Sequence, residues 1–304
     1  MYACVLAGLV GITAPVSAAT TPEIDATQAS LAAPRATPKD AFEALAPHRA
    51  IYKVMLGSAK NGGHVSDISG KMFFSLADDC HAWNINQKMQ VHFYYSGGDV
   101  SDNVSDLISR ENKDGSGYVF YSRRKNDNDA PEVLRGEANL TADANGIGLG
   151  KASYNGEGEK QISFTSNTLF PVHHTLELLK QARAGKKFYS IDVFDGADES
   201  GYNQISAFIG AQVNADTGKA TAAKSDSKAG SGLLAQRGWP IRMAFFSPDN
   251  QRGSPDYEMD MLLLDNGVIK SMKVDYGDFS MAAELVKAEP LPEAKCPAPA
   301  QPPS

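Results

Sequence analysis

Apolar and polar residues alternate along much of the chain in short runs, and most runs stop at Gly, Asn or Asp. Ile51 to Leu56 is an apolar and aromatic run that ends at Gly57, and Gly70 to Leu76 carries Met72, Phe73 and Phe74. Trp83 to Tyr95 alternates imperfectly and ends at Gly97-Gly98, while Tyr118 to Arg123 follows Lys113-Asp114-Gly115. Successive side chains of a β-strand point to opposite faces, so runs of this period, bounded by turn residues, predict strands joined by short connections. The same reasoning predicts strands at Phe188 to Phe194, ending at Asp195-Gly196, at Gln204 to Ile209 and at Trp239 to Phe246.

The pattern is sharpest near the C-terminus, where Tyr257 to Leu264 is followed by Asp265-Asn266-Gly267 and then Val268 to Tyr276. Tyr257, Met259, Met261 and Leu263 fall on one face, and Glu258 and Asp260 on the other. Asn-Gly readily adopts the positive φ angles of a type I′ turn, which predicts a tight hairpin here. Phe279 to Lys287 fits either a further strand or a short helix. One segment breaks the two-residue period. Phe170-Pro171 precedes Val172 to Ala184, and Gly185 follows, the asymmetry expected of a helix start and stop. Val172, Leu176 and Leu179 share a stripe, with Leu178 and Ala182 beside it, so one helix is predicted against or inside the sheet. No repeat of about 20–50 residues is present, which excludes a solenoid or propeller. The expected fold class is mainly β and antiparallel, with many strands and one associated α-helix.

Soft segments set the domain limits. Residues 20–40 are rich in Ala, Thr and Pro and read as a flexible leader. Pro297 to Ser304 carries four prolines and reads as a disordered tail. Asn214 to Gly232, nearly all small or polar, reads as a long surface loop inside a single domain spanning residues 41–296.

Composition narrows the class. Hydrophobic residues make up 42% of the 304, enough for a core, and the net charge of −7 argues against nucleic acid as a partner. The compact basic run Arg123-Arg124-Lys125, flanked by Asp127 and Asp129, reads as a solvated loop. Val5 to Val16 are apolar or small, and Val16-Ser17-Ala18 fits a secretory cleavage site after Ala18 or Ala19, although no Lys or Arg precedes Arg35. Residues 1–19 are therefore read as a signal peptide and the mature protein as exported. No other segment approaches about 18 unbroken apolar residues, so no membrane-spanning helix is expected. Of three cysteines, Cys4 lies in the signal. Cys80 and Cys296 remain, and an even pair in an oxidising compartment predicts one disulfide worth about 2–4 kcal/mol.

Candidate chemistry is sparse. His173-His174 at the helix start lie about 100° apart around the axis, unlike the i, i+4 pair that grips zinc, and Glu177 is within helical reach of both. Packing or capping suits them better than metal binding or acid–base work. Asp79, Cys80 and His81 adjoin, and Cys beside His would suggest a nucleophile with its base, but neighbours on a strand face opposite sides and Cys80 is needed for the disulfide. Asp99, Asp102, Asp106 and Glu111 lack the spacing of a calcium loop and read as solvated loop acids. Asp192, Asp195, Asp198 and Glu199 form a second acidic run. No nucleophile elbow, phosphate loop or dinucleotide fingerprint occurs. No catalytic residue, metal ligand or cofactor is assigned, and the ligand-binding residues are left unknown.

The ordered set Trp83-Asn84-Ile85-Asn86, Asp102 to Glu111 with Asp114-Gly115, Phe170-Pro171 with His174, Val193-Phe194-Asp195-Gly196, Tyr257-Glu258 and Val274-Asp275-Tyr276-Gly277-Asp278-Phe279 resembles the EipB-like cell-envelope integrity family of alphaproteobacteria. The resemblance extends over about residues 47 to 296. It implies a periplasmic protein, an open barrel or β-spiral with an associated helix, a Cys80–Cys296 disulfide and a role in envelope integrity. It transfers no catalytic residue. Three functions follow for comparison. The first is a non-enzymatic envelope factor that binds a periplasmic protein or cell-wall component. The second is a carrier of a lipid or other apolar ligand, using faces such as Met72, Phe73, Phe74, Phe93, Tyr95, Met259 and Met261. The third is a cell-wall hydrolase built on Asp195 and His174.

Overall fold

The computed structural model describes residues 45–60, 63–140, 147–154, 157–165, 167–196, 201–214, 232–292, 294 and 296. The expected signal peptide, leader, tail and most of the Asn214–Gly232 loop lie outside them. The strands are β1 (His48–Ala59), β2 (Val65–Asp78), β3 (Ala82–Tyr95), β4 (Val100–Asn112), β5 (Gly117–Asn126), β6 (Glu132–Asn139) and β7 (Ile147–Tyr154). They continue as β8 (Glu157–Thr165), β9 (Phe188–Val193), β10 (Asn203–Ile209), β11 (Gly238–Phe246), β12 (Tyr257–Leu264), β13 (Ile269–Asp275) and β14 (Phe279–Pro290). The helix α1 (Pro171–Arg183) lies between β8 and β9 in the chain.

All fourteen strands form one antiparallel sheet in the order β8-β7-β6-β5-β4-β3-β2-β1-β14-β13-β12-β11-β10-β9. Two meanders thus meet where the first strand pairs with the last, with His48 opposite Pro290. The sheet does not close, because β8 and β9 are its edges and the chain passes between them through α1. This is the expected open barrel with an associated helix. Bulges in β1 at Ile51/Tyr52 and Leu56/Ser58 add local bend and twist, the usual means of curling a long sheet.

Alternation puts one face of each strand inside. In β1, His48, Ala50, Tyr52 and Val54 are buried while Arg49, Ile51 and Lys53 are exposed. Met259, Met261 and Leu263 of β12 are buried with the apolar face of α1 in the larger hydrophobic cluster. A smaller, aromatic cluster holds Tyr118, Phe120, Phe164, Phe170 and Phe194. The helix begins with Pro171, and Lys180 and Arg183 lie in its last turn, where cations suit the helix dipole. Gly185, at φ +71°, takes the left-handed conformation past the end, and the Gly185 and Lys186 N–H groups bond back to Ala182 and Gln181.

Three expectations need correction, and one open reading is resolved. Asp102, Asp106 and Glu111 are in strand β4, not a loop, and Arg123-Arg124-Lys125 are in β5. Both strands are held by pairing on either side, which outweighs their polar composition. Phe279 to Lys287 is strand, within β14. The β12–β13 turn is not type I′, since only Gly267 has a positive φ there, at +85°. The Gly267 N–H bonds the Leu264 carbonyl and Leu264 N–H bonds Val268, as in a three-residue loop with a glycine bulge. Asn266 is held out of the I′ geometry by outside contacts: its carbonyl accepts from Ala46 N–H and its side-chain amide donates to Leu233.

Candidate functional site

The start of α1 presents unpaired backbone N–H groups, and Phe170 at the N-cap has no side chain to satisfy them. Glu111, near the end of β4, does so from 61 residues away in sequence. One carboxylate oxygen accepts the Val172 N–H at 2.7 Å. The other accepts the His173 N–H at 2.8 Å and lies 2.5 Å from His173 Nδ1. Glu111 is fully buried, so these bonds replace the water it gives up. An acidic group at this end also suits the helix dipole. On its other side the imidazole meets the β4–β5 turn, where a Cβ at Gly115 would stand 3.0 Å from His173 Nε2. His173 is thus wedged between the turn and the helix. Lys113 of the same turn pairs with Asp78 at 2.7 Å and lies 4.8 Å over the Trp83 ring.

His174 points elsewhere. It is buried, its ring stacks on Tyr189 at 6.5 Å, and burial pushes its pKa down to about 3. Its Nε2 has no hydrogen-bond partner among the described residues. Asp195 is buried too, and its backbone carbonyl accepts the Tyr118 hydroxyl at 3.0 Å. No hydrogen bond joins His174 to Asp195, so the two conjectured hydrolase residues do not form a working pair. Glu177 bonds Lys180 and Gln181 rather than either histidine.

Asp79, Cys80 and His81 form the β2–β3 turn rather than part of a strand, and Cys80 has a φ of +74°. Cys80 is joined to Cys296 by a disulfide with a Cα–Cα distance of 5.4 Å. Asp79 accepts from the His81 and Ala82 N–H groups and from Asn84, and it pairs with Arg110. The other acids are dispersed. Asp102 pairs with His92 at 2.5 Å, Asp106 faces Arg123 at 3.7 Å, and Asp99 lies in the β3–β4 turn. Asp198 and Glu199 lie outside the described residues. Among the described residues, no three His, Cys, Asp or Glu side chains gather as a metal site would require.

The sequence reading missed an outer groove of about 390 Å³ on the first meander. It is lined by Asn84, Asn86, Arg110 and Tyr121 together with the apolar Ile108 and Val119. These two apolar side chains are 50% and 53% exposed. Alternation gave no signal for the groove on β4, where polar residues face both ways, Ser105 and Ser109 inward and Asp106 and Arg110 outward. By contrast Met72, Phe74, Phe93, Met259 and Met261 are buried core residues. Phe73, one residue out of phase with them, is only partly buried. Among the described residues no helix is long and apolar enough to cross a membrane.

Residues 39–292 match the family model described as EipB-like. The cell envelope integrity protein EipB of Brucella abortus (strain 2308) is 28% identical over 250 residues, 81% of this chain and 84% of that protein. A crystal structure from Brucella abortus, described as a β-barrel-like protein of domain of unknown function DUF1849, matches with a TM-score of 0.69. It is 26% identical and the match covers 82% of this chain and 99% of that one.

Proposed function

This chain belongs to the EipB-like family, and from that premise we propose that it supports cell-envelope integrity from the periplasm as a non-enzymatic binding protein. Its partner is an envelope protein or a cell-wall component. The observation that carries the binding mode is the outer groove, where Ile108 and Val119 expose apolar surface beside the polar groups of Asn84, Asn86 and Arg110. An apolar lining with a few placed polar groups is the usual form of a recognition site. The non-enzymatic reading is supported by the separate engagements of His173, His174 and Asp195. An apolar-ligand carrier is the weaker reading, because the inward methionines and phenylalanines pack against one another.

The test is complementation of a strain lacking the protein, scored by detergent sensitivity. Wild type should restore resistance, and an Ile108→Lys, Val119→Lys variant present at equal abundance should not. Full rescue by that variant would remove the groove from the proposal. Unaltered resistance in the deletion strain would remove the envelope role. His174→Phe with Asp195→Asn should leave cell-wall digestion unchanged, and a loss of digestion would restore the hydrolase reading.

A further inference from the structure

Strand β9 is an edge of the sheet, bonded on one side to β10. Ile209 N–H donates to the Lys187 carbonyl, so the odd-numbered residues of β9 bond β10. The alternating ladder then turns the backbone groups of Phe188, Ser190 and Asp192 outward. Two stops bound this edge. Leu169 N–H takes the Asp192 carbonyl at 2.9 Å, and Lys186 N–H turns back to Gln181 at 3.0 Å. Between them, the N–H and C=O groups of Phe188 and Ser190 have no partner among the described residues.

The outer face of this edge is apolar and bordered by charge. Phe188 is 76% exposed and Phe208, its neighbour on β10, is 47% exposed, with ring centroids 5.3 Å apart. Lys186 precedes the strand and Asp192 closes it, and neither has an ion-pair partner among the described residues. Burial raises the Asp192 carboxyl above its ordinary pKa.

We propose that β9 pairs antiparallel with β9 of a second copy of this chain, about a twofold axis at Tyr189. Phe188 then stands opposite Ser190 of the second copy, and by symmetry the reverse, which satisfies the N–H and C=O groups of Phe188 and Ser190 on both edges. Beyond this paired stretch, at both ends, the Lys186 side chain of one copy comes near the Asp192 carboxylate of the other. The two Phe188 rings become diagonal neighbours, within reach of aromatic contact. A second copy is favoured over another strand for two reasons. The charge runs from basic to acidic along the edge, so an antiparallel copy is complementary to it, whereas a parallel copy sets like charges together. The open stretch is also short, so a longer strand would meet Leu169 and the end of α1. The contact is small and the association is correspondingly weak and reversible. It is independent of the groove, which lies on β2 to β5.

Sedimentation velocity over a concentration series, without reductant, tests this. Wild type should show a monomer–dimer equilibrium. Asp192→Lys should weaken dimerisation about tenfold or more by placing like charges together. Adding Lys186→Glu to the same chain should restore it. Ser190→Pro, which removes an outward N–H, should give monomer alone, with circular dichroism confirming that each variant is folded. A wild type monomeric at every concentration would overturn the proposal, leaving the edge to a different partner. Dimers insensitive to Asp192→Lys, or a double variant that fails to recover, would overturn the pairing described.

Discussion

Strands β4 and β12 occupy comparable places, each flanked on both sides within its meander, yet their inward faces are opposite in chemistry. β12 turns Met259, Met261 and Leu263 into the larger core. β4 turns in Asn103, Ser105, Leu107, Ser109 and Glu111, all buried and only one of them apolar. The first strand is held by burial of its own side chains. The second is held by hydrogen-bonded neighbours, β3 and β5, and by the one long-range task of Glu111 at the helix start. The Ser105 and Ser109 hydroxyls have no partner among the described residues, so β4 carries a desolvation cost that β12 does not. A strand can therefore be central to a sheet without contributing much to its apolar core, provided its neighbours do.

This contrast can be broken from either side. Glu111→Ala should have the largest effect, costing about 3–5 kcal/mol, because it leaves His173 and two helix N–H groups buried without their acceptor. Urea denaturation would measure it, and a loss below about 1 kcal/mol would show that the helix start finds another cap. Leu263→Ala should cost about 2–5 kcal/mol by leaving a cavity in the larger core. A negligible loss in the same titration would mean that the second meander repacks freely.

The pH dependence is smaller and has a definite sign. Burial lowers the pKa of His174 to about 3 and that of His48 below its ordinary 6.5. Below pH 6.5 the unfolded chain binds protons that these folded histidines resist, so stability falls with pH, and for His174 it keeps falling toward about 3. Each should contribute a slope of up to about 1.4 kcal/mol per pH unit, and His174→Phe should remove one share. An unchanged slope in that variant would show that His174 takes up protons equally in the folded and unfolded states. Ser109→Ala should have the smallest effect and the opposite direction, raising stability by about 1 kcal/mol through loss of an unbonded buried hydroxyl. Destabilisation of that size would instead reveal a bonded partner for Ser109.

The same contrast explains what could be read in advance. Tyr257 to Leu264 was legible because Met259, Met261 and Leu263 alternate with Glu258 and Asp260. The α1 boundaries were legible because Pro171 and Gly185 have backbone preferences that act locally. β4 was illegible because its inward residues are polar and its exposed ones include Ile108, which inverts the pattern. Strands β6 to β8 were missed as well, in a stretch where Gly136, Gly148 and Gly150 dilute any apolar period. Asn266-Gly267 marked the right turn with the wrong geometry, since contacts with Ala46 and Leu233 decide the Asn266 conformation.

The sequence by itself determined the mainly β class, the helix α1 and its ends, and the choice of Cys80 and Cys296 as the cysteines left to pair. Those follow from alternation, from the intrinsic geometry of Pro and Gly, and from counting. Only the tertiary structure decided that Glu111 caps α1, that His173 and His174 face different surroundings, and that Ile108 and Val119 line a groove. Each of these joins residues far apart in the chain or depends on which side of a curved sheet faces water, and local preferences along a sequence carry neither kind of information.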